Sequence, residues 1–193
     1  MLPQLQLIED FFPIDSFIEE PPKGTGQFRY DRYGTITEEE PHIKTAYSRY
    51  RHPKYTRLLL GVKNMLQEVY GERLYPTYNF DRFYYEGSVL PKHRDRPSCE
   101  VSVSLHIGSN LEEEWPLYFD YNGSVENFTL KPGDAVLYNG VEIYHGRNQM
   151  PGGKDNYFHN VFLHYVRKDG AYPEHAYDRF NAQFKTTGTE YGR

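Results

Sequence analysis

Between residues 55 and 74 the chain reads YTRLLLGVKNMLQEVYGERL, with Leu58, Val62, Leu66 and Val69 at steps of four, four and three and with Leu59 and Met65 beside them. That spacing predicts an amphipathic helix packed on a sheet, with Gly71 as its stop. Ahead of it, LQLIEDFFPIDSFIEE clusters enough apolar residues for an opening strand and a short helix, interrupted by Pro13. From Pro21 to about His52 the apolar pattern lapses into Gly, Pro, Tyr and charged residues, including Glu38-Glu39-Glu40. This predicts a loop-rich excursion, and Tyr30, Tyr33, Tyr47, Tyr50 and Tyr55 suit a lid over a functional site.

Beyond Pro76 the pattern changes to short runs rich in aromatic and β-branched residues, divided by Gly, Asn and Pro: TYNFDRFYYEG, SCEVSVSLHIG, WPLYFDYNG, SVENFTL, DAVLYNG, EIYHG and YFHNVFLHYV. No helical pattern of useful length interrupts them. The expected fold class is therefore mainly β with flanking helices, an antiparallel sandwich or barrel in which a jelly roll closes most edges. One domain over 1–193 is expected. Residues 1–75 supply the N-terminal strand, the lid and the packing helix, 76–167 the jelly-roll core, and 168–193 a polar tail with one helical turn at PEHAYDRF.

Composition changes this picture in a few respects. A length of 193 residues buries a core without staples. The 19 Tyr and 12 Phe favour half-wet cavity walls. A net charge of -5 gives no overall field for a polyanion or an acidic membrane, so nucleic acid and membrane are not expected partners. The single cysteine, Cys99, excludes an intrachain disulfide and a thiolate-built metal site, and reads as a small buried hydrophobe. The start MLPQLQLIEDFFPIDSFIEE lacks a basic apolar leader, and the expected compartment is reducing and cytoplasmic.

The candidate chemistry lies in YYEGSVLPKHRDRPSCE. In an extended segment His93 and Asp95 share one face while Arg94 and Arg96 point away, which gives the arginines a surface role. A third ligand is offered by His145, which follows a Gly-bearing turn in LKPGDAVLYNGVEIYHGR. Two imidazoles and one carboxylate fit one face of a ferrous ion and leave positions open for other ligands; zinc with a bound water is the alternative. His106, His159 and His164 fall inside strand runs and read as packed or hydrogen-bonded, although Asn160 and His164 share a face that could line a pocket.

The run YYEGSVLPKHRD, followed by strands and then by LKPGDAVLYNG and EIYHGR, resembles the iron(II)/2-oxoglutarate-dependent dioxygenase family in its prolyl-hydroxylase-like branch. The likeness covers about residues 7 to 166. It implies a double-stranded β-helix of the jelly-roll, cupin-like kind, with iron held by His93, Asp95 and His145. It also implies 2-oxoglutarate as co-substrate, O2 as oxidant, and hydroxylation of an unactivated C–H bond in a peptidyl residue or small molecule, with succinate and CO2 as co-products. A carboxylate at position 95 implies hydroxylation over halogenation. Tyr85 matches a tyrosine that hydrogen-bonds the co-substrate. The co-substrate's distal carboxylate calls for a cation some ten positions past the second histidine, which gives Lys154, with Arg147 as the alternative. Here the chain departs from the family, since Lys154 sits in the turn PGGKDN and the next strand has no Lys or Arg before Arg167. A zinc-dependent cupin-like hydrolase or isomerase, and a non-catalytic jelly-roll binding module, are the competing readings.

Overall fold

The strands expected after Pro76 form, and they sort themselves by the pairing needs of their two faces. A computed structural model describes residues 5–177. Strand β1 (Leu5–Ile8) opens the chain and is followed by β2 (Gly26–Tyr30), β3 (Ile36–Glu39) and β4 (Ala46–Tyr50). Helices α1 (Pro53–Gly61) and α2 (Lys63–Tyr70) come next, then β5 (Leu74–Tyr84), β6 (Leu90–His93), β7 (Val101–Ser109) and β8 (Leu117–Tyr121). The last strands are β9 (Ser124–Phe128), β10 (Ala135–Tyr138), β11 (Tyr144–Arg147) and β12 (Phe158–Arg167). One sheet runs β1-β10-β7-β12-β5-β4-β2-β3 and the other β6-β11-β8-β9, which is the jelly roll.

The central strands of the large sheet, β5, β7, β10 and β12, are buried on both sides, so they carry two distinct faces. In β7, Val101, Val103, Leu105 and Ile107 pack with Leu58, Leu59 and Leu66 of the helices. Full burial of each such side chain contributes about 1.5–3 kcal/mol. The alternate residues Ser102, Ser104 and His106 are also buried, and Ser104 Oγ donates a 2.9 Å hydrogen bond to the side-chain amide oxygen of Asn160 on β12. The face turned away from the helices is thus polar and aromatic, as the inside of a site would be.

Two expectations need correction. The excursion from Pro21 to His52 is not mainly loop: β2, β3 and β4 extend the large sheet, with β2 and β4 parallel. Their polar, tyrosine-rich sequence hid them because only one face is apolar. The predicted helix is two, because at Val62 (φ -85°, ψ -6°) the backbone ends α1 and begins α2. Gly71 does end it, at φ 78°, a left-handed conformation that favours glycine. The short N-terminal helix is a single 3-10 turn, Asp15–Phe17, and PEHAYDRF gives another at Pro173–His175, with positions 178–180 outside the described residues. Among the described residues no helix is long and apolar enough to cross a membrane.

Candidate metal centre

His93 ends β6 and His145 stands directly opposite it on β11, because the two strands pair antiparallel in the small sheet. Asp95 follows two residues later, where its backbone N–H donates to Gly140 O at 2.8 Å. His93 Nε2 lies 3.4 Å and His145 Nε2 3.7 Å from Asp95 Oδ1. One donor atom from each of the three falls within 4.8 Å of the others. With metal–ligand bonds of about 2.0–2.2 Å, small torsional adjustments bring all three donors onto one ion.

The ring nitrogens are already assigned to tasks. His93 Nδ1 donates to Pro91 O at 2.8 Å and His145 Nδ1 to Ile143 O at 3.0 Å. Each bond keeps a proton on Nδ1 and turns Nε2 toward Asp95; on His93 that nitrogen shares a proton with Asp95, which a bound ion would displace to take the lone pair. Burial lowers the pKa of His145, which keeps it neutral as a ligand must be. Burial opposes ionisation of Asp95, but the hydrogen bond from His93 and the nearby His145 and His164 hold its carboxyl below the usual value. For His93, burial is outweighed by the hydrogen bond and charge of Asp95, and its pKa is raised.

Asp95 is also confined from behind. A Cβ on Gly140 would stand 2.5 Å from Asp95 Oδ2 and 2.5 Å from Cys99 O. Gly140→Ala is therefore expected to displace the carboxylate and weaken metal binding by about 10- to 100-fold, the range for a group that orients a ligand. Metal titration of the variant checks this, and unchanged affinity would show that Asp95 is not held by this contact.

A neighbouring set, Asp95, Cys99 and His164, also clusters. It makes a poorer centre because burial pushes the Cys99 thiol far up and Tyr78 Oη lies 3.1 Å from its sulfur, so the thiolate is not the resting form. A third set, Glu19, Asp81 and His159, is occupied by Arg49, whose Nε and Nη2 donate to Asp81. That set lies with Tyr55 of α1, whose hydroxyl is 3.4 Å from His159 Nε2.

The triad opens into a cavity of about 400 Å³ lined by both sheets, by Tyr50 of β4, and by His42 and Ile43 just before it. Of the five tyrosines expected in a lid, Tyr50 reaches this wall, whereas Tyr33 is 77 % exposed and Tyr55 is buried beneath the sheet. Arg94 and Arg96, expected to point away, both line the cavity because the chain turns after His93 and strict alternation ends there. His164 lines it as well, with its Nδ1 2.9 Å from Ser102 Oγ. Asn160 is fully buried.

The co-substrate candidates divide. Tyr85 and Lys154 lie together in a second cavity with Lys23 and Lys44, apart from the triad, and Tyr85 Oη donates to Pro22 O. Arg147 lies inside the barrel at 1 % exposure, between Trp115 and Phe158, with its guanidinium carbon 4.8 and 4.5 Å from their ring centres. Its Nη1 donates to Trp115 O, while Nε and Nη2 are buried without a partner. Burial pulls its pKa down to about 10, which leaves it charged at neutral pH. Sequence reasoning missed Arg82, which lines the main cavity and donates from Nε to Ser48 Oγ at 2.9 Å. The signal was present: Tyr78, Phe80, Arg82 and Tyr84 share one face of β5 by alternation, and Tyr85 does not.

No protein-family model and no curated protein matches the sequence. Solved structures do match the fold. HygX from Streptomyces hygroscopicus, solved with nickel and 2-oxoglutarate bound, aligns with a TM-score of 0.61 at 12 % identity over 88 % of this chain and 85 % of that one. A prolyl-4-hydroxylase from Pseudomonas putida gives 0.54 at 12 % identity, covering 86 % and 94 %. A 2OG-Fe(II) oxygenase family oxidoreductase from Burkholderia pseudomallei gives 0.53 at 14 %, covering 79 % and 68 %. The chain is therefore similar in fold to 2-oxoglutarate/iron oxygenases.

Proposed function

We propose that this chain is an iron(II)- and 2-oxoglutarate-dependent oxygenase that hydroxylates an unactivated C–H bond of a small molecule or peptidyl residue. The observation that carries the reading is the convergence of His93, Asp95 and His145 on the inner face of a jelly roll, with both imidazoles tied back through Nδ1. Three protein donors cover one face of an octahedral ion and leave the other for exchangeable ligands. The chemistry supplied by iron and 2-oxoglutarate together is O2 activation, coupled to release of succinate and CO2.

The chain's own part is to bind, orient and shield. Arg147 favours a carboxylate co-substrate over a bare zinc-bound water, because a guanidinium buried with two unpartnered nitrogens is costly until an anion meets it. It stands two residues beyond His145 on β11. At about 3.3 Å per residue that offset matches the reach of a five-carbon diacid chelating an ion at His145 through its other end. Trp115 and Phe158 hold the guanidinium plane and keep water from it.

The test is iron(II)-dependent formation of succinate from 2-oxoglutarate by the purified chain. Arg147→Met is expected to raise the 2-oxoglutarate KM at least about ten-fold, the loss of one charge-assisted contact, with iron binding retained. An unchanged KM would move the carboxylate to another cation, and absence of succinate with iron bound would favour the hydrolase or binding-module readings.

A further inference from the structure

On the wall of the main cavity beside the triad, Asp95, Cys99 and His164 bring an oxygen, a sulfur and a nitrogen donor within 4.8 Å of one another. They come from separate parts of the chain: Asp95 follows β6, Cys99 ends the 3-10 turn Pro97–Cys99, and His164 lies on β12. Each is held from behind. Asp95 N–H donates to Gly140 O at 2.8 Å. Thr77 Oγ1 donates to Ser98 O at 2.7 Å and Ser102 Oγ to Cys99 O at 3.0 Å, which fixes the turn that carries the thiol. The His164 ring packs on Tyr78 with centres 4.6 Å apart, and its Nδ1 lies 2.9 Å from Ser102 Oγ. Cys99 is 2 % and His164 5 % exposed, yet both line the cavity, so an ion that reaches the triad reaches them as well.

The two carboxylate oxygens of Asp95 face different neighbours. Oδ1 is the atom beside His93 and His145, whereas Oδ2 lies 3.4 Å from Ser102 Oγ, on the side of His164. A carboxylate has acceptor sites enough on its two oxygens to face two cations. Donor chemistry then separates the two sets. Two imidazoles and a carboxylate suit iron, whereas a set with a thiolate selects thiophilic ions, and three protein donors with a water in the fourth position make the tetrahedron that zinc prefers. Burial pushes the Cys99 thiol up, so no thiolate stands there by itself. A divalent cation reverses that preference: the metal–sulfur bond forms as the S–H bond breaks, and the proton leaves to solvent through the cavity.

We infer that Asp95, Cys99 and His164 form a second metal site, distinct from the triad but sharing Asp95 with it, for a thiophilic divalent cation such as zinc or cadmium. Nothing in this site depends on the oxygenase reading, because it uses only the donors and their spacing.

Cadmium(II) is the probe, since a cadmium–thiolate bond gives an ultraviolet charge-transfer band that a cadmium ion on imidazole and carboxylate alone does not. The full chain, with its thiol kept reduced, is titrated and read by difference absorption, and bound cadmium is counted after equilibrium dialysis. The band is expected in the wild type with the intensity of one cadmium–sulfur bond, and again in His145→Ala, where the triad is broken and a single ion per chain is expected. In His164→Ala its midpoint is expected to move to at least about 100-fold higher cadmium, the loss of a ligand exceeding that of an outer partner. Cys99→Ser is expected to lose the band and still take cadmium at the triad, and melting curves show which variants are folded. Absence of the band from the wild type, with or without cadmium bound, overturns the inference. So does a band that disappears in folded His145→Ala, which would place the thiol on the triad's ion, or a midpoint unmoved in His164→Ala, which would leave Cys99 binding outside the cluster. Iron(II)-dependent succinate formation is measured on the same wild-type preparation; its failure beside a normal cadmium band would tell against the oxygenase reading and leave the second site standing.

Discussion

His145→Ala is expected to lower iron(II) affinity by at least about 100-fold and to abolish succinate formation. The estimate exceeds the 10- to 100-fold lost when only an outer partner of a ligand is changed, since here a donor itself is removed. His145 is firmly placed: it is 2 % exposed, its Nδ1 is engaged by Ile143 O, and its ring is packed against Tyr138 and Phe119. His164→Ala is the informative control, because His164 belongs to the rival set with Asp95 and Cys99. The triad account expects the His164 variant to keep iron within a few-fold of wild type. If the two variants exchanged phenotypes, the ion would belong with Cys99 and not with His93. Iron content after equilibrium dialysis reads both outcomes, and melting curves separate lost binding from lost fold.

The second large effect is on stability and lies on the other face of the large sheet. Asp81 is fully buried and accepts hydrogen bonds from Arg49 Nε at 3.0 Å, Arg49 Nη2 at 2.6 Å and His159 Nε2 at 3.0 Å. Phe83 stacks on His159 with ring centres 3.7 Å apart. Asp81→Asn removes the charge and leaves Arg49, itself 7 % exposed, with Glu19 as its remaining carboxylate among the described residues. Breaking a buried pair in this way costs about 3–5 kcal/mol, which at this chain length lowers Tm by on the order of 10 °C. The pH dependence has a definite sign. Burial raises the Asp81 pKa, but the hydrogen bond from His159 and the charge of Arg49 outweigh it, so the folded value lies below the ordinary one. A depressed carboxyl contributes stability above its unfolded pKa of about 3.9 and loses it as pH falls through the folded value. The gap between wild type and Asp81→Asn therefore narrows in acid, below about pH 4, and a gap that held constant there would contradict the pairing.

Much of the site could be read from the sequence because its logic is local. His93 and Asp95 sit at i and i+2 beside a strand end, and His145 stands where the returning strand pairs with the first. The β runs after Pro76 announce themselves by composition. What stayed hidden depends on partners far away in the chain. Strands β2 to β4 are polar and tyrosine-rich, and only a sheet edge to pair with makes them strands. Arg94 and Arg96 read as outward-facing only while the segment is assumed to stay extended, and the strand ends at His93. Tyr85 lies one residue past the end of β5 and off the face that carries Tyr78, Phe80, Arg82 and Tyr84, a parity that shows only once the strand's bounds are known. Distance from His145 along the chain points to Lys154, whereas burial, which no spacing rule reports, points to Arg147.

The most direct test is an anaerobic titration of the wild-type chain with iron(II) followed by 2-oxoglutarate, monitored by visible absorption. A weak charge-transfer band is expected that appears only when both are present, saturates at one iron per chain and is missing in His145→Ala. A chain that binds iron at this stoichiometry without developing the band, or a band that survives loss of His145, would contradict it.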